Sequence, residues 1–391
     1  MLHSSLGFHT MTLFLSLDKK DVQKLFKDFK KYSKDTGLIQ IYPPDDNTKK
    51  FRVNYPNEDR GIEWMIWFNN WSRDFKSYIV EVKINPKILG GIHDYLTAAT
   101  YDDMEAAITN FNLESKRISR ILGDFSCYRL KRIDYCINFH LDELIPGCSP
   151  EQIMKLIKRA NIPPHYEEWT EYNDTSHRWK SRPSSFYLIN NSANINCYSK
   201  YMELLERSQD RESKGLSPIP QITLDNAQNI VRFEVQCKYL KTYVLNYKAE
   251  KAGNHKYNKY ENVLNHTACL NAVSYYYKKT IGKGDWYTLQ DAIHIIHSKH
   301  FNRQKEKRLI EALAQVNQCR SLYKAKSAYA DDDLKAFKNT LSDLSSLGIN
   351  PVTIPKDWGI KHLPNLLYTY LDKLEMEESK KETGDSFYNY F

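Results

Sequence analysis

The chain has 391 residues, 41% hydrophobic and 13% aromatic, with a mean hydropathy of −0.64; this excludes a largely disordered chain and leaves room for one large and one smaller domain. Its 56 Lys and Arg against 48 Asp and Glu give a net charge of +8, a bias that permits a polyanionic partner. Seven scattered cysteines without a Cys-x-x-Cys pair argue against a thiolate zinc site and read as reduced thiols of a cytoplasm, and the apolar run 11–17 is too short to span a bilayer and lacks the charged start and small-residue cleavage site of a signal peptide.

Residues 18–34 carry Val22, Leu25, Phe26, Phe29 and Tyr32 at helical spacing. A polar insertion, 42–61, follows. Segment 79–85 alternates Val80, Val82 and Ile84 with Glu81, Lys83 and Asn85, as a half-buried strand requires. Residues 102–122 are helical in pattern, with Met104, Ala107, Ile108, Phe111, Ile118 and Ile121 on one stripe. A second strand, 132–141, sets Ile133, Tyr135, Ile137, Phe139 and Leu141 against Arg132, Asp134, Asn138 and His140. Helix 149–160 opens with Ser149, Pro150 and Gln152, a capping-box variant.

Insertion 161–184 gathers Trp169, Tyr172, His177, Arg178, Trp179, Lys180 and Arg182, residues able to stack on and neutralise single-stranded DNA, although a solvated loop with packed aromatics fits the same composition. Strand 195–200 shows Asn196, Tyr198 and Lys200 on its polar side, and strand 231–239 alternates Val231, Phe233 and Val235 with Arg232, Glu234, Gln236 and Lys238. Beyond about residue 250 the remainder reads as helical, with a domain boundary at 252–257: domains 1–252 and 253–391. His294, His297 and His300 walk off any single ligand face and read as an exposed helix side. Within 299–326, eight basic residues (Lys299, Arg303, Lys305, Lys307, Arg308, Arg320, Lys324, Lys326) face two acidic ones, a candidate duplex-binding surface. Residues 331–347 form a helix with an acidic start and Gly348 as its stop, and the tail 375–391 is expected to fray.

The expected fold is α+β: a central antiparallel sheet backed by helices on one face, then a small helical domain with a winged helix among the candidates. The other sheet face is left with Glu81, Asp134, Tyr198, Lys200 and Glu234. Phosphodiester transesterification uses such a set: a tyrosyl oxygen as nucleophile, carboxylates that hold Mg²⁺ or Mn²⁺, and a lysine that steadies developing charge. Solvated carboxylates on an open sheet face give the same pattern, so spacing alone does not decide.

The stretches 80–86, 132–134, 197–204 and 231–235, reading VEVKINP, RID, CYSKYMEL and VRFEV, resemble in order and spacing the gene II replication initiators of filamentous phages. They are more distantly similar to rolling-circle plasmid initiators lacking a His-hydrophobic-His motif, and to conjugative relaxases. The resemblance covers roughly 8–245. It implies Tyr198 as nucleophile with Lys200 beside it, Asp134 and Glu234 as metal ligands, and Glu81, on the matching Val-Glu-x-Lys strand, as a third. Tyr201 stands where the phage proteins need no tyrosine, as a second nucleophile or, more in keeping with its type, a packed ring. The implied function is site-specific nicking of origin DNA through a 5′-phosphotyrosine. With no Walker motif in the chain, strand separation falls to a host helicase and extension to a host polymerase. A relaxase with the same chemistry and a non-catalytic origin-binding regulator are the alternatives.

Overall fold

A computed structural model describes residues 5–44, 50–55, 60–69, 77–173, 178–180, 182–251 and 262–385; the expected domain boundary at 252–257 lies outside them. Ten strands build the main sheet: β1 (Leu6–Leu17), β2 (Gln40–Tyr42), β3 (Phe51–Asn54), β4 (Ile62–Asn69), β5 (Ser77–Ile84), β6 (Arg129–His140), β7 (Glu167–Glu168), β8 (Ser185–Ile189), β9 (Ala193–Ser199) and β10 (Ile230–Cys237). Their order is β2-β3-β4-β5-β1-β6-β10-β9-β8-β7, and every pairing is antiparallel. The expected α+β class is thus the observed one.

Alternation divides the sheet cleanly. Val80, Val82, Ile84, Trp64, Ile66, Ile133, Tyr135, Ile137, Phe233 and Val235 lie on one face, each almost fully buried. Helix Lys19–Thr36 lays Val22, Leu25 and Phe29 on that face, and Phe29 meets Trp64 at 6.3 Å between ring centroids. Asp18 caps this helix by accepting from the Asp21 N–H at 2.7 Å. Helix Pro150–Ile157 starts with the full capping box between Ser149 and Gln152. Helix His266–Thr280 completes the cover: Tyr277 packs edge-on against Phe139 and Phe233 at 5.8 and 5.4 Å. Residues beyond the expected boundary therefore share the core of the sheet.

The C-terminal region continues through helices Leu289–Ser298, Arg303–Cys319, Asp331–Ser346 and Leu366–Asp385, and its strands Trp286–Tyr287 and His362–Leu363 form a two-residue ladder. No helix among the described residues is long and apolar enough to cross a membrane.

Two local features shape the opposite, polar face. In the β1–β6 ladder Phe8 pairs with Tyr135 and Met11 with Ile133, so His9 and Thr10 together oppose the single residue Asp134. This β-bulge turns both side chains toward the polar face while Phe8 and Met11, three apart, stay in the core. At Gly7 a Cβ would come within 2.1 Å of the Ala99 carbonyl oxygen, so only glycine lets that chain lie against β1. Two reciprocal bonds of 2.9 Å between Phe8 and Ala99 fix it there. The pinned segment meets helices Lys200–Ser213 and Gln221–Ala227 in a satellite core of Leu204, Ile219, Leu224 and Ala227, with Tyr95 and Leu96 packed against it. The polar face is roofed at one end and open beyond.

Candidate active site

Where the roof ends, Tyr198 on β9 lies opposite Arg232 on β10, and Asn196 lies opposite Glu234. The Tyr198 hydroxyl, in a residue 7% exposed, donates to Glu234 Oε2 at 3.4 Å. His9 Nδ1 reaches the same oxygen at 3.2 Å, and Gln236 Nε2 donates to Oε1 at 2.8 Å. Asp134 receives a forked pair from Arg132, Nε at 2.6 Å and Nη2 at 2.8 Å, plus the Thr10 hydroxyl. Arg232, fully buried, donates through Nε to Asn138 at 2.7 Å and through Nη2 to the Leu96 carbonyl at 3.2 Å. Among the described residues its buried Nη1 has no hydrogen-bond partner, and neither has the buried Asn196 Oδ1 beside Glu234.

The electrostatics follow from this crowding. Burial, then the charge of Glu234, hold the Tyr198 hydroxyl well above the ordinary tyrosine range; Arg232 pulls it the other way. Burial and Glu234 also raise Asp134, against the pull of Arg132. Burial works to raise Glu234 too, but the hydrogen bonds from His9 and Gln236 and the charge of Arg232 outweigh it and hold this carboxyl low. Burial keeps His9 below its ordinary value, against the pull of the Glu234 carboxylate.

Lys200 departs from its expected position. The strand stops at Ser199, whose hydroxyl accepts from the Met202 N–H, and Lys200 is the first residue of the helix that follows. Its ammonium, 1% exposed, donates to Glu203 at 2.5 Å and is pushed down to about 8 by burial and by Arg232. Arg232, which alternation had set on the polar face without a role, is the cation opposite Tyr198. Tyr201 packs against the satellite core.

Glu81 shares the face but not the cluster. It accepts from Trp67 Nε1 at 2.8 Å, from Lys50 at 3.4 Å and from Lys131. Its cross-strand partner Phe14 is four residues along β1 from Thr10, which bonds Asp134, a separation of roughly 13 Å at the rise of a strand. One ion cannot span it. Among the described residues no three His, Cys, Asp or Glu side chains stand together as a metal site. The donors that do converge are the carboxylates of Asp134 and Glu234 and the orphaned Asn196 Oδ1, all oxygens, which suits a hard divalent cation.

The basic residues placed on DNA are partly engaged with the protein. Arg308 pairs with Asp343 at 2.7 Å and Lys307 with Glu311 at 3.7 Å, Lys305 lies over the Phe301 ring, and Lys326 donates to Asn161 at 2.9 Å. Lys299 and Arg303 are exposed. His294, His297 and His300 are exposed as expected, with His297 on Glu306 at 2.8 Å. Arg178 and Lys180 lie in a short strand, Arg178–Lys180, paired with Glu171–Asn173; their side chains are outside the described part, as are those of Tyr172 and Trp179, and His177 lies outside it entirely. From the same insertion Arg182 stacks over Trp169 at 5.8 Å and bridges Glu171 and Glu206. Trp169, Arg182 and Tyr187 line a cavity of about 400 Å³ that opens onto Tyr198.

No protein-family model and no curated protein matches the chain. Among solved structures it is similar to one titled as the rolling circle replication initiator protein from Geobacillus stearothermophilus, with 8% identity and a TM-score of 0.28 over 62% of this chain and 77% of that one.

Proposed function

We propose that the chain is a rolling-circle replication initiator, a tyrosine-dependent enzyme that nicks and rejoins one strand of origin DNA. The observation that carries the reading is the Tyr198 hydroxyl on Glu234 Oε2 at 3.4 Å, buried opposite an Arg232 whose Nη1 has no partner among the described residues. In the proposed step Tyr198 Oη forms a bond to phosphorus while the bond to the 3′ oxygen breaks, giving a 5′-phosphotyrosine and a free 3′-hydroxyl. The phenolic proton leaves by way of Glu234 Oε2, the oxygen it already faces, and the departing 3′ oxygen takes a proton from water to become the hydroxyl. Arg232 Nη1 answers the charge that gathers on Tyr198 and the phosphate, the role first read for Lys200. His9 donates to Glu234 and fixes that carboxylate, and Thr10 and Arg132 do the same for Asp134.

Asp134, Glu234 and Asn196 would hold Mg²⁺ or Mn²⁺, which supplies a positive charge that polarises the scissile phosphate. Reversal needs no ATP, because the phosphotyrosine conserves the ester: a 3′-hydroxyl attacks it, the strand is sealed and Tyr198 regains its proton. A separate helicase opens the duplex and a polymerase extends the 3′ end. The test is supercoiled DNA carrying the origin, incubated with the protein and Mg²⁺. Open circles with protein fixed to the 5′ end support the reading; binding without any nick makes the chain a regulator.

A further inference from the structure

A second, larger cavity lies on the same polar face, about 820 Å³ in volume, and it shares His9, Thr10, Lys83 and Glu203 with the cavity at Tyr198. The two make one continuous trough. Its floor is the polar side of β2 to β5, where register brings Tyr42 beside Arg52 and Glu63 beside Lys83. Its wall is the helix Lys200–Ser213 with Lys214 at its end. Six Lys and Arg side chains line the larger cavity against three carboxylates, a far stronger basic bias than the whole chain's 56 against 48. Glu203 is spent on Lys200, outside this set, while the pair Asp210–Lys214 and the pairing of Arg60 with Glu114 each occupy one of the six cations, so the remaining charge balance is Arg52, Lys83, Arg207 and Arg211 against Glu63. Lys83 is exposed and has no ion-pair or hydrogen-bond partner among the described residues.

A polar sheet face that runs basic away from a buried tyrosine, with a ring at its far end, suits a phosphate backbone and its bases. The depth of Tyr198 selects the form of the nucleic acid: a stiff duplex cannot lower one phosphate to an oxygen of a residue 7% exposed, whereas an unpaired strand can enter the recess. We infer that this trough seats the unpaired strand on one side of the scissile phosphate, with phosphates on Lys83 and the basic wall and a base against Tyr42. The inference rests on the nicking function proposed above.

The probe is a fluorescein-labelled oligothymidylate, titrated against the full chain at several salt concentrations. The double variant Lys83→Ala and Lys214→Ala, both at exposed positions, flattens the log–log salt dependence by roughly 1.4, about 0.7 for each lost phosphate contact on a single strand. An oligothymidylate containing 5-iododeoxyuridine, irradiated on the wild-type protein, crosslinks to Tyr42. An unchanged slope in a variant with wild-type circular dichroism, or crosslinks that never include Tyr42, overturns the trough as the seat of the strand. Adduct formation on origin DNA is scored separately. Lost slope without an adduct leaves the trough standing and removes the nicking function; an adduct with unchanged slope does the reverse.

Discussion

Glu81 and Glu234 stand on the same face of one sheet, 3% and 4% exposed, and are held there by opposite means. Around Glu81 every demand is met: two ammonium groups and an indole N–H converge on one carboxylate. Around Glu234 the charges are crowded. A second buried carboxylate, a tyrosine hydroxyl, an imidazole and an arginine with an unanswered N–H share a few ångströms. The first arrangement joins β5 to its neighbours. The second keeps groups in protonation states they would leave if a substrate gave them reason to, which is how reactive sites differ from structural ion pairs.

The contrast breaks most sharply at Asp134. Asp134→Ala abolishes nicking of supercoiled origin DNA and leaves origin binding nearly intact, while full activity in EDTA would take the metal out of the reaction. Next comes the glutamate pair itself. Glu234→Gln keeps shape and removes the proton acceptor, so single-turnover adduct formation falls by about 10²- to 10⁴-fold. Glu81→Gln lowers stability by about 1–3 kcal/mol in chemical denaturation, since its lysines are left unanswered but stay partly hydrated, and it leaves the adduct rate alone. Equal losses of rate in both variants would erase the distinction drawn here.

Lys200 offers a smaller test with a defined sign. Burial lowers it to about 8, so the folded state disfavours the ammonium, and the resulting stability is present above the ordinary lysine range and lost as pH falls through about 8. Wild type therefore gains on Lys200→Met by about 1–3 kcal/mol as pH is raised from 8 into the lysine range. A difference that stays flat with pH would mean the ammonium is already answered by Glu203. The weakest expected effect lies in the C-terminal helices. Removing the basic side chains of Lys299 and Arg303 lowers the log–log salt slope for duplex binding by about 0.9 per contact; an unchanged slope would move duplex recognition elsewhere on the protein.

What could be read in the sequence depended on unbroken alternation. β5, β9 and β10 keep period two, and β6 keeps it from Arg132 to His140, so their apolar and polar sets were legible, and with them Glu81, Asp134, Tyr198 and Glu234. β1 was not, because its bulge puts Phe8 and Met11 on the same face three residues apart and hides His9 and Thr10 in an apparently irregular run. β4 hid differently: Met65 and Trp67 on its polar side blur the contrast with Ile62, Trp64 and Ile66. β2 and β3, three and four residues long, carry too little pattern and read as an insertion. Lys200 was misplaced because alternation was carried one residue too far; Ser199 followed by Glu203 in the next turn is a helix start that outranks it. Orphaned groups such as Arg232 Nη1 belong to packing, and no sequence pattern reports them.

The central claim, that Tyr198 is the nucleophile, is tested by trapping the covalent complex on a 3′-labelled origin strand and mapping the modified peptide by mass spectrometry. Tyr198 on the adduct peptide in wild type, with Tyr198→Phe folded, still bound to the origin and free of label, is the predicted result. Label on Tyr201, or an adduct that survives in Tyr198→Phe, would contradict it.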